Sequence, residues 1–263
     1  MQTTATASNV TVRPWAVLLS TVGTLLVTNL TIAGVCGGKP LNDRPNEPPV
    51  LPAEYAFGIW GPIYLGLLLY AVYQALPSQR HNPRFAAAAP WVVANCVLNA
   101  LWLPMAYHGY EGLPLVLLFG YLVTLVFITR RLQVGRQAVS SWEIGLAQVP
   151  FGLCFGWITV AGAVGVSGYL KSLGAQGLEL GEPAWVVLVL LVALAIILRV
   201  YQRFPNRAYL LVLTWAGIGI ALADRPRAVQ LAAAGVAAVA LIRASTPLPK
   251  VVNSAAAFER VGR

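Results

Sequence analysis

The residues with the clearest binding chemistry lie in YAFGIWGPIYLGLLLY, residues 55–70. Phe57, Trp60 and Tyr64 follow one another there at i, i+3 and i+7, so a helix presents them on one face. Stacked aromatic rings beside Gly61 form a wide, flat surface that suits a flat apolar ligand. The alternative is an aromatic belt at the level of the lipid headgroups.

A second set of polar and aromatic side chains lies in PWVVANCVLNALWLPMAYHG, residues 90–109. Asn95, Asn99 and Trp102 fall at i, i+4 and i+7 and share a helix face. Carboxamides are costly in hydrocarbon unless they are hydrogen-bonded, so this face is expected to point into a bundle or a cavity. The two amides are either ligand contacts or hydrogen bonds between helices, and the sequence leaves both open.

A third set lies in VPFGLCFGWITVAGAVG, residues 149–165, where Pro150 introduces a kink. The glycines and alanines of this run predict close helix packing. Phe151 and Trp157 are the aromatic residues that we assign to the same ligand-contacting group.

The sequence has no group of side chains with the types and spacing of a catalytic or metal-binding site. Of the two histidines, only His108 has an acid at a useful spacing, Glu111, and such a pair near water is typical of a solvated helix end. No ionisable residue lies in the middle of an apolar run, which argues against an ion-coupled pump. We therefore predict no catalytic residue, no metal and no required cofactor, and enzymatic activity has little support.

The elements that position these residues follow from composition. Of the 263 residues, 58% are hydrophobic and 10% are charged, and the mean hydropathy is +0.70, which indicates an integral membrane protein whose main partner is the lipid bilayer. The net charge of +9 comes from basic residues at the ends of apolar runs, without the basic stripe of a nucleic-acid-binding protein.

Eight apolar runs predict an all-α, polytopic bundle of transmembrane helices. They are 14–35, 56–75, 87–107, 113–130, 142–166, 184–200, 208–222 and 228–243. The last two are short, about 15 residues each, and are expected to form a thin or partly re-entrant hairpin. The predicted organisation is a five-helix core (1–166), an external loop (167–183), three additional helices (184–243) and a tail (244–263).

The distribution of basic residues predicts the orientation. With eight crossings, thirteen of the eighteen Lys and Arg residues fall on one side and five on the other. Because cytoplasmic loops are enriched in Lys and Arg, both termini are predicted to be cytoplasmic.

Together these pieces resemble the TspO/MBR family of tryptophan-rich sensory proteins, also called translocator or peripheral-type benzodiazepine receptor proteins. The resemblance rests on a proline-rich loop (36–55), Phe57–x2–Trp60–x3–Tyr64, Asn99–x2–Trp102–x–Pro104, and Pro150 with GWITVA (156–161). It covers residues 14–166. The Phe57–Trp60 spacing is one residue shorter than the usual family pattern, and three helices follow, which is typical of a longer, divergent member.

The resemblance implies a five-helix core that binds a tetrapyrrole such as a porphyrin or haem. It implies that Trp60 and Tyr64 line the pocket, that Asn99 and Trp102 face it, and that Trp157 closes it. A receptor or sensory role is the first hypothesis. An uncoupled small-molecule transporter, a porphyrin-degrading enzyme and a structural subunit remain as alternatives, the last through the Ala/Gly-rich segment 232–242. A homodimer is a separate expectation.

Overall fold

The computed structural model describes residues 4–39, 50–110, 112–135, 138–174 and 181–246. Across these ranges the chain forms eight helices, and a 3₁₀ segment (Glu54–Ile59) leads into the second. The helices are α1 (Thr4–Ile32), α2 (Trp60–Tyr73), α3 (Pro83–Tyr107), α4 (Gly112–Arg131), α5 (Ser141–Ser172), α6 (Glu182–Arg203), α7 (Arg207–Ala221) and α8 (Arg227–Ser245). The all-α bundle predicted from the apolar runs is confirmed.

Polar residues at the helix starts set several of these boundaries. Asn82 caps α3, Ser140 caps α5 and Asn206 caps α7, each through a side-chain oxygen that accepts a backbone N–H of the first turn. Such caps satisfy donors that the helix cannot pair itself. The loop after the fifth helix was predicted to begin at residue 167, but α5 continues to Ser172 and ends before Gly174, which adopts a φ of +75°. Gly168 lies inside the helix and does not interrupt it.

Within the described ranges, seven helices are long and apolar enough to span a membrane. The exception is α7, with 15 residues. The prediction of two short final helices is therefore wrong for α8, which has 19 residues because the helix begins at Arg227 and continues past Arg243. Most side chains of α7 are buried by neighbouring helices, so protein surrounds much of this shorter helix.

Contacts between the termini of different helices identify the two ends of the bundle. At one end Arg84 at the start of α3 pairs with Glu143 at the start of α5, and Arg207 at the start of α7 donates to Thr246 after α8. At the other end the backbone of Lys39 bonds to Tyr107. We call these the basic end and the loop end. Successive helices run in alternating directions between these two ends.

One apolar core connects all eight helices. Its buried members include Ile63 on α2, Ile158 on α5, Tyr209 on α7 and Val236 on α8. Close approach of α5 to α7 depends on Gly156, where an added Cβ would lie 2.9 Å from the Tyr209 carbonyl oxygen. The last three helices therefore pack into the same core as the first five.

Candidate functional site

Five aromatic rings from four elements meet near the loop end. Trp60 stacks on Tyr64 with ring centroids 5.0 Å apart, and its centroid lies 6.4 Å from that of Trp102 and 6.5 Å from that of Trp157. Phe57 meets Trp157 edge-on at 5.5 Å. Trp157 is buried, whereas the other four rings are half-buried and keep some exposed surface. We call Phe57, Trp60, Tyr64, Trp102 and Trp157 the aromatic site.

The two carboxamides of α3 behave differently, although they lie one turn apart. Asn95 donates to the Thr124 hydroxyl on α4 at 2.7 Å, which is a hydrogen bond between helices. Asn99 adjoins the Tyr64 hydroxyl. Both polar atoms of Asn99 are buried and have no hydrogen-bond partner among the described residues. An unsatisfied buried amide is costly, so Asn99 has hydrogen-bonding capacity that the described chain does not use.

Phe151 lies apart from the aromatic site. Its ring meets Tyr70 at 4.8 Å, and Tyr70 in turn meets Phe85, so these rings form a second cluster closer to the basic end. Phe151 and Trp157 are six residues apart on α5, which corresponds to about 9 Å along the axis and different helix faces. The sequence prediction grouped the two because they share a span.

The 3₁₀ segment before α2 is held by α7. The indole N–H of Trp215 donates to the Ala56 carbonyl at 2.8 Å, and the Ala53 N–H donates to the Gly219 carbonyl at 3.0 Å. Trp215 also meets Tyr55 edge-on at 5.6 Å. Phe57 lies in this segment, so α7 fixes the chain that delivers the aromatic site. This role of Trp215 does not follow from the sequence, because the partners are 159 residues apart and no local pattern links them.

The start of α5 departs from regular geometry. Residues Ile144–Gln148 form a π-helical turn immediately before Pro150, which has no N–H to continue an α-helical ladder. Pro150 packs against Gly66 of α2, where an added Cβ would lie 2.9 Å from the proline ring. This close approach holds α5, the helix that carries Trp157, against α2.

The polar face of α1 was also missed in the sequence analysis. Thr21, Thr24, Thr28 and Thr31 are all buried and recur at i, i+3, i+7 and i+10. Thr24 donates to the Cys96 carbonyl at 2.7 Å, and Thr28 accepts a long contact of 3.5 Å from the Tyr64 hydroxyl. The spacing was readable in the sequence and predicts a face that packs on other helices.

Groups suited to metal binding or acid–base catalysis are not assembled in the described part of the chain, where no three His, Cys, Asp or Glu side chains cluster. His108 contacts the Pro104 carbonyl through Nδ1 at 2.9 Å. Its predicted neighbour Glu111 lies outside the described residues, as does the proline-rich segment 40–49. The aromatic site offers stacking surfaces, and the buried carboxamide of Asn99 beside it has no hydrogen bond of normal geometry among the described residues.

A polytopic helical bundle with an aromatic site near one end defines an integral membrane protein of the tryptophan-rich type. The chain belongs to the family of TSPO-like proteins, whose family model matches residues 14–246. The match extends beyond residues 14–166, over which the sequence resemblance was stated, and includes α6, α7 and α8. No curated protein and no solved structure gives a significant match.

Proposed function

We propose that the aromatic site binds a flat hydrophobic ligand of the tetrapyrrole class, such as a porphyrin or haem, and that the protein is a membrane receptor or sensor. The observation that carries this proposal is the convergence of five aromatic rings from the 3₁₀ segment, α2, α3 and α5 near one end of the bundle. Aromatic faces stack on flat rings, and stacking adds about 0.5–1.5 kcal/mol per pair beyond area burial.

Asn99 supports a ligand that carries polar groups as well as an apolar plane. Its carboxamide can donate two hydrogen bonds and accept others, and within the described residues neither of its polar atoms makes a hydrogen bond of normal geometry. Binding sites of this kind are mostly apolar with a few polar groups that fix orientation. A porphyrin, with ring N–H groups and an extended plane, matches that combination.

The rings contact one another, so a ligand must either stack on their exposed edges or displace one of them. Trp60 is the ring best placed to move, since it is half-buried and touches three of the other rings. Gly61 beside it leaves open space, because an added Cβ would meet no atom within 4 Å. We infer that ligand binding is accompanied by a rotamer change of Trp60.

The test is a titration of the detergent-purified protein with protoporphyrin IX and haemin, read from the Soret absorption of the ligand. The variant Trp60→Ala/Trp157→Ala is expected to bind roughly 5- to 150-fold more weakly, from two lost stacking partners. The matched control is Trp15→Ala/Trp142→Ala, which removes two indoles that are 60% and 74% exposed outside the aromatic site.

Unchanged affinity in the Trp60→Ala/Trp157→Ala variant would refute the site, and an absence of saturable binding by the natural sequence would refute the ligand class. Uptake of porphyrin by proteoliposomes separates a transporter from a receptor, because a receptor releases no ligand into the vesicle lumen.

A further inference from the structure

A basic cleft lies at the end of the bundle opposite the aromatic site. It is open, has a volume of about 710 Å³ and is formed by the α2–α3 loop, the first turns of α3 and the end of α4. The polar residues around it include Gln79, His81, Asn82, Arg84, Arg130 and Arg131. The volume lies in the range of about 300–1,000 Å³ that is usual for ligand sites.

The charge in this cleft is one-sided. No acidic side chain is among its described lining residues. Arg84 is partly neutralised, because its guanidinium contacts Glu143 at 2.6 and 2.8 Å. Arg130 and Arg131 are exposed and form no ion pair with any residue that the structure describes. A cleft with two uncompensated guanidinium groups favours an anion, and guanidinium binds phosphate in bidentate fashion.

Apolar surface adjoins the cleft on the side toward the membrane. Trp91 on α3 stacks on Phe127 of α4 with ring centroids 4.0 Å apart and an interplanar angle of 10°. Trp91 follows the lining residue Ala87 by one helical turn, and Phe127 precedes Arg130 and Arg131 by one turn, so the stack lies about 6 Å deeper. Both rings are half-buried.

We propose that this cleft binds the phosphate of an anionic phospholipid, with the glycerol and the first acyl carbons against the Trp91–Phe127 pair. The chemistry that it recognises is a phosphate ester, which a soluble phosphate would share. The adjoining apolar stack favours the lipid, because a free phosphate gains nothing from it. Basic pockets between transmembrane helices, such as this one at the basic end, are suited to acidic lipid headgroups. This proposal is independent of the aromatic site.

The experiment uses calorimetric titration of the full-length protein in a neutral detergent. Dihexanoyl-phosphatidylglycerol is the anionic lipid probe, dihexanoyl-phosphatidylcholine is the zwitterionic control, and inorganic phosphate is the soluble probe. The anionic lipid is expected to bind saturably and at least about tenfold more tightly than inorganic phosphate, the effect of burying roughly two methylene groups. The zwitterionic lipid is expected not to bind.

The decisive variant is Arg130→Gln/Arg131→Gln. Each basic residue near an acidic headgroup raises the affinity for the lipid about fivefold, so loss of both arginines should weaken lipid binding roughly 25-fold. The matched control is Arg199→Gln/Arg203→Gln, which removes two exposed charges from α6 that do not line the cleft, and should change the affinity by less than about twofold because exposed charges outside a site are largely screened.

The variant Trp91→Ala separates the two sources of phosphate, since it should weaken the lipid and leave inorganic phosphate unchanged. Equal affinity for lipid and inorganic phosphate would overturn the lipid assignment. Absence of saturable binding by the natural sequence, or equal losses in the two arginine variants, would overturn the site. Thermal melting of each variant confirms that it is folded, and the exposed positions of Arg130 and Arg131 make that the expected result.

Discussion

Replacement of Trp215 by phenylalanine is expected to loosen the segment that leads into α2. The change removes the indole N–H that donates to the Ala56 carbonyl at 2.8 Å and leaves an aromatic ring facing Tyr55. Ala56 is fully buried, so its carbonyl loses this partner away from water. Loss of one hydrogen bond costs about 0.5–1.5 kcal/mol, which sets the expected loss of local stability.

Hydrogen exchange measured by mass spectrometry reads that loss directly. The Ala53 amide is the best reporter, because its own hydrogen bond to the Gly219 carbonyl spans the same contact between the 3₁₀ segment and α7. A loss of about 0.5–1.5 kcal/mol corresponds to exchange that is roughly 2- to 13-fold faster, provided that the segment opens locally. Porphyrin binding should weaken as well, because Phe57 lies in the segment that is released.

Trp185→Phe serves as the control, since Trp185 is a half-buried tryptophan on α6 that lies outside this contact. The reasoning is refuted if exchange at Ala53 is unchanged in Trp215→Phe, or if Trp185→Phe accelerates it equally.

Two further predictions concern packing and charge. Arg84→Met should destabilise the fold by about 3–5 kcal/mol, because it leaves the Glu143 carboxylate buried without its partner. Arg84→Met/Glu143→Leu should recover most of that loss. Thermal melting compares the two variants, and equal melting temperatures would contradict the prediction. Gly156→Ala should lower the free energy of unfolding by about 1–3 kcal/mol, since its Cβ would lie 2.9 Å from both the Tyr209 carbonyl and the Val212 side chain. Gly61→Ala meets open space, so its free energy of unfolding should stay within about 1 kcal/mol of that of the natural sequence.

Local patterns predicted which aromatic residues share a helix face. Helical spacing alone placed Phe57, Trp60 and Tyr64 together, and in the structure Phe57 meets a ring of α5, Trp60 meets a ring of α3, and Tyr64 stacks on Trp60. Spacing states which residues share a face but not what that face meets. Asn95 and Asn99 share a face, yet one bonds to α4 and the other lies beside α2.

The contributions of the later helices could not be predicted in this way. Trp215 holds a segment that is far away in the sequence, and its own helix has no polar pattern that indicates a partner. Gly156 was expected to allow close helix packing, and the structure identifies the Tyr209 backbone of α7 as what approaches it. Such partners follow from the order in which helices are arranged around the core, and apolar runs in a membrane protein carry little information about that order.

The position of α5 bears on whether the first five helices can stand alone. Of its membrane-spanning window, 61% is buried, against 28–39% for the other six candidate spans. Part of that burial comes from α7, through the contacts of Gly156 and through Thr159, whose hydroxyl lies 3.3 Å from the Tyr209 hydroxyl.

A chain that ends at residue 174 would expose this glycine-rich, hydroxyl-bearing face to lipid and would release the 3₁₀ segment from Trp215. Lipid cannot hydrogen-bond the exposed groups, and small residues leave poor packing against acyl chains. We therefore expect the truncated chain to melt at a markedly lower temperature than the full chain and to lose porphyrin binding. A truncated protein that melts and binds like the full chain would show instead that the five-helix portion folds independently, and that the last three helices add a separate function.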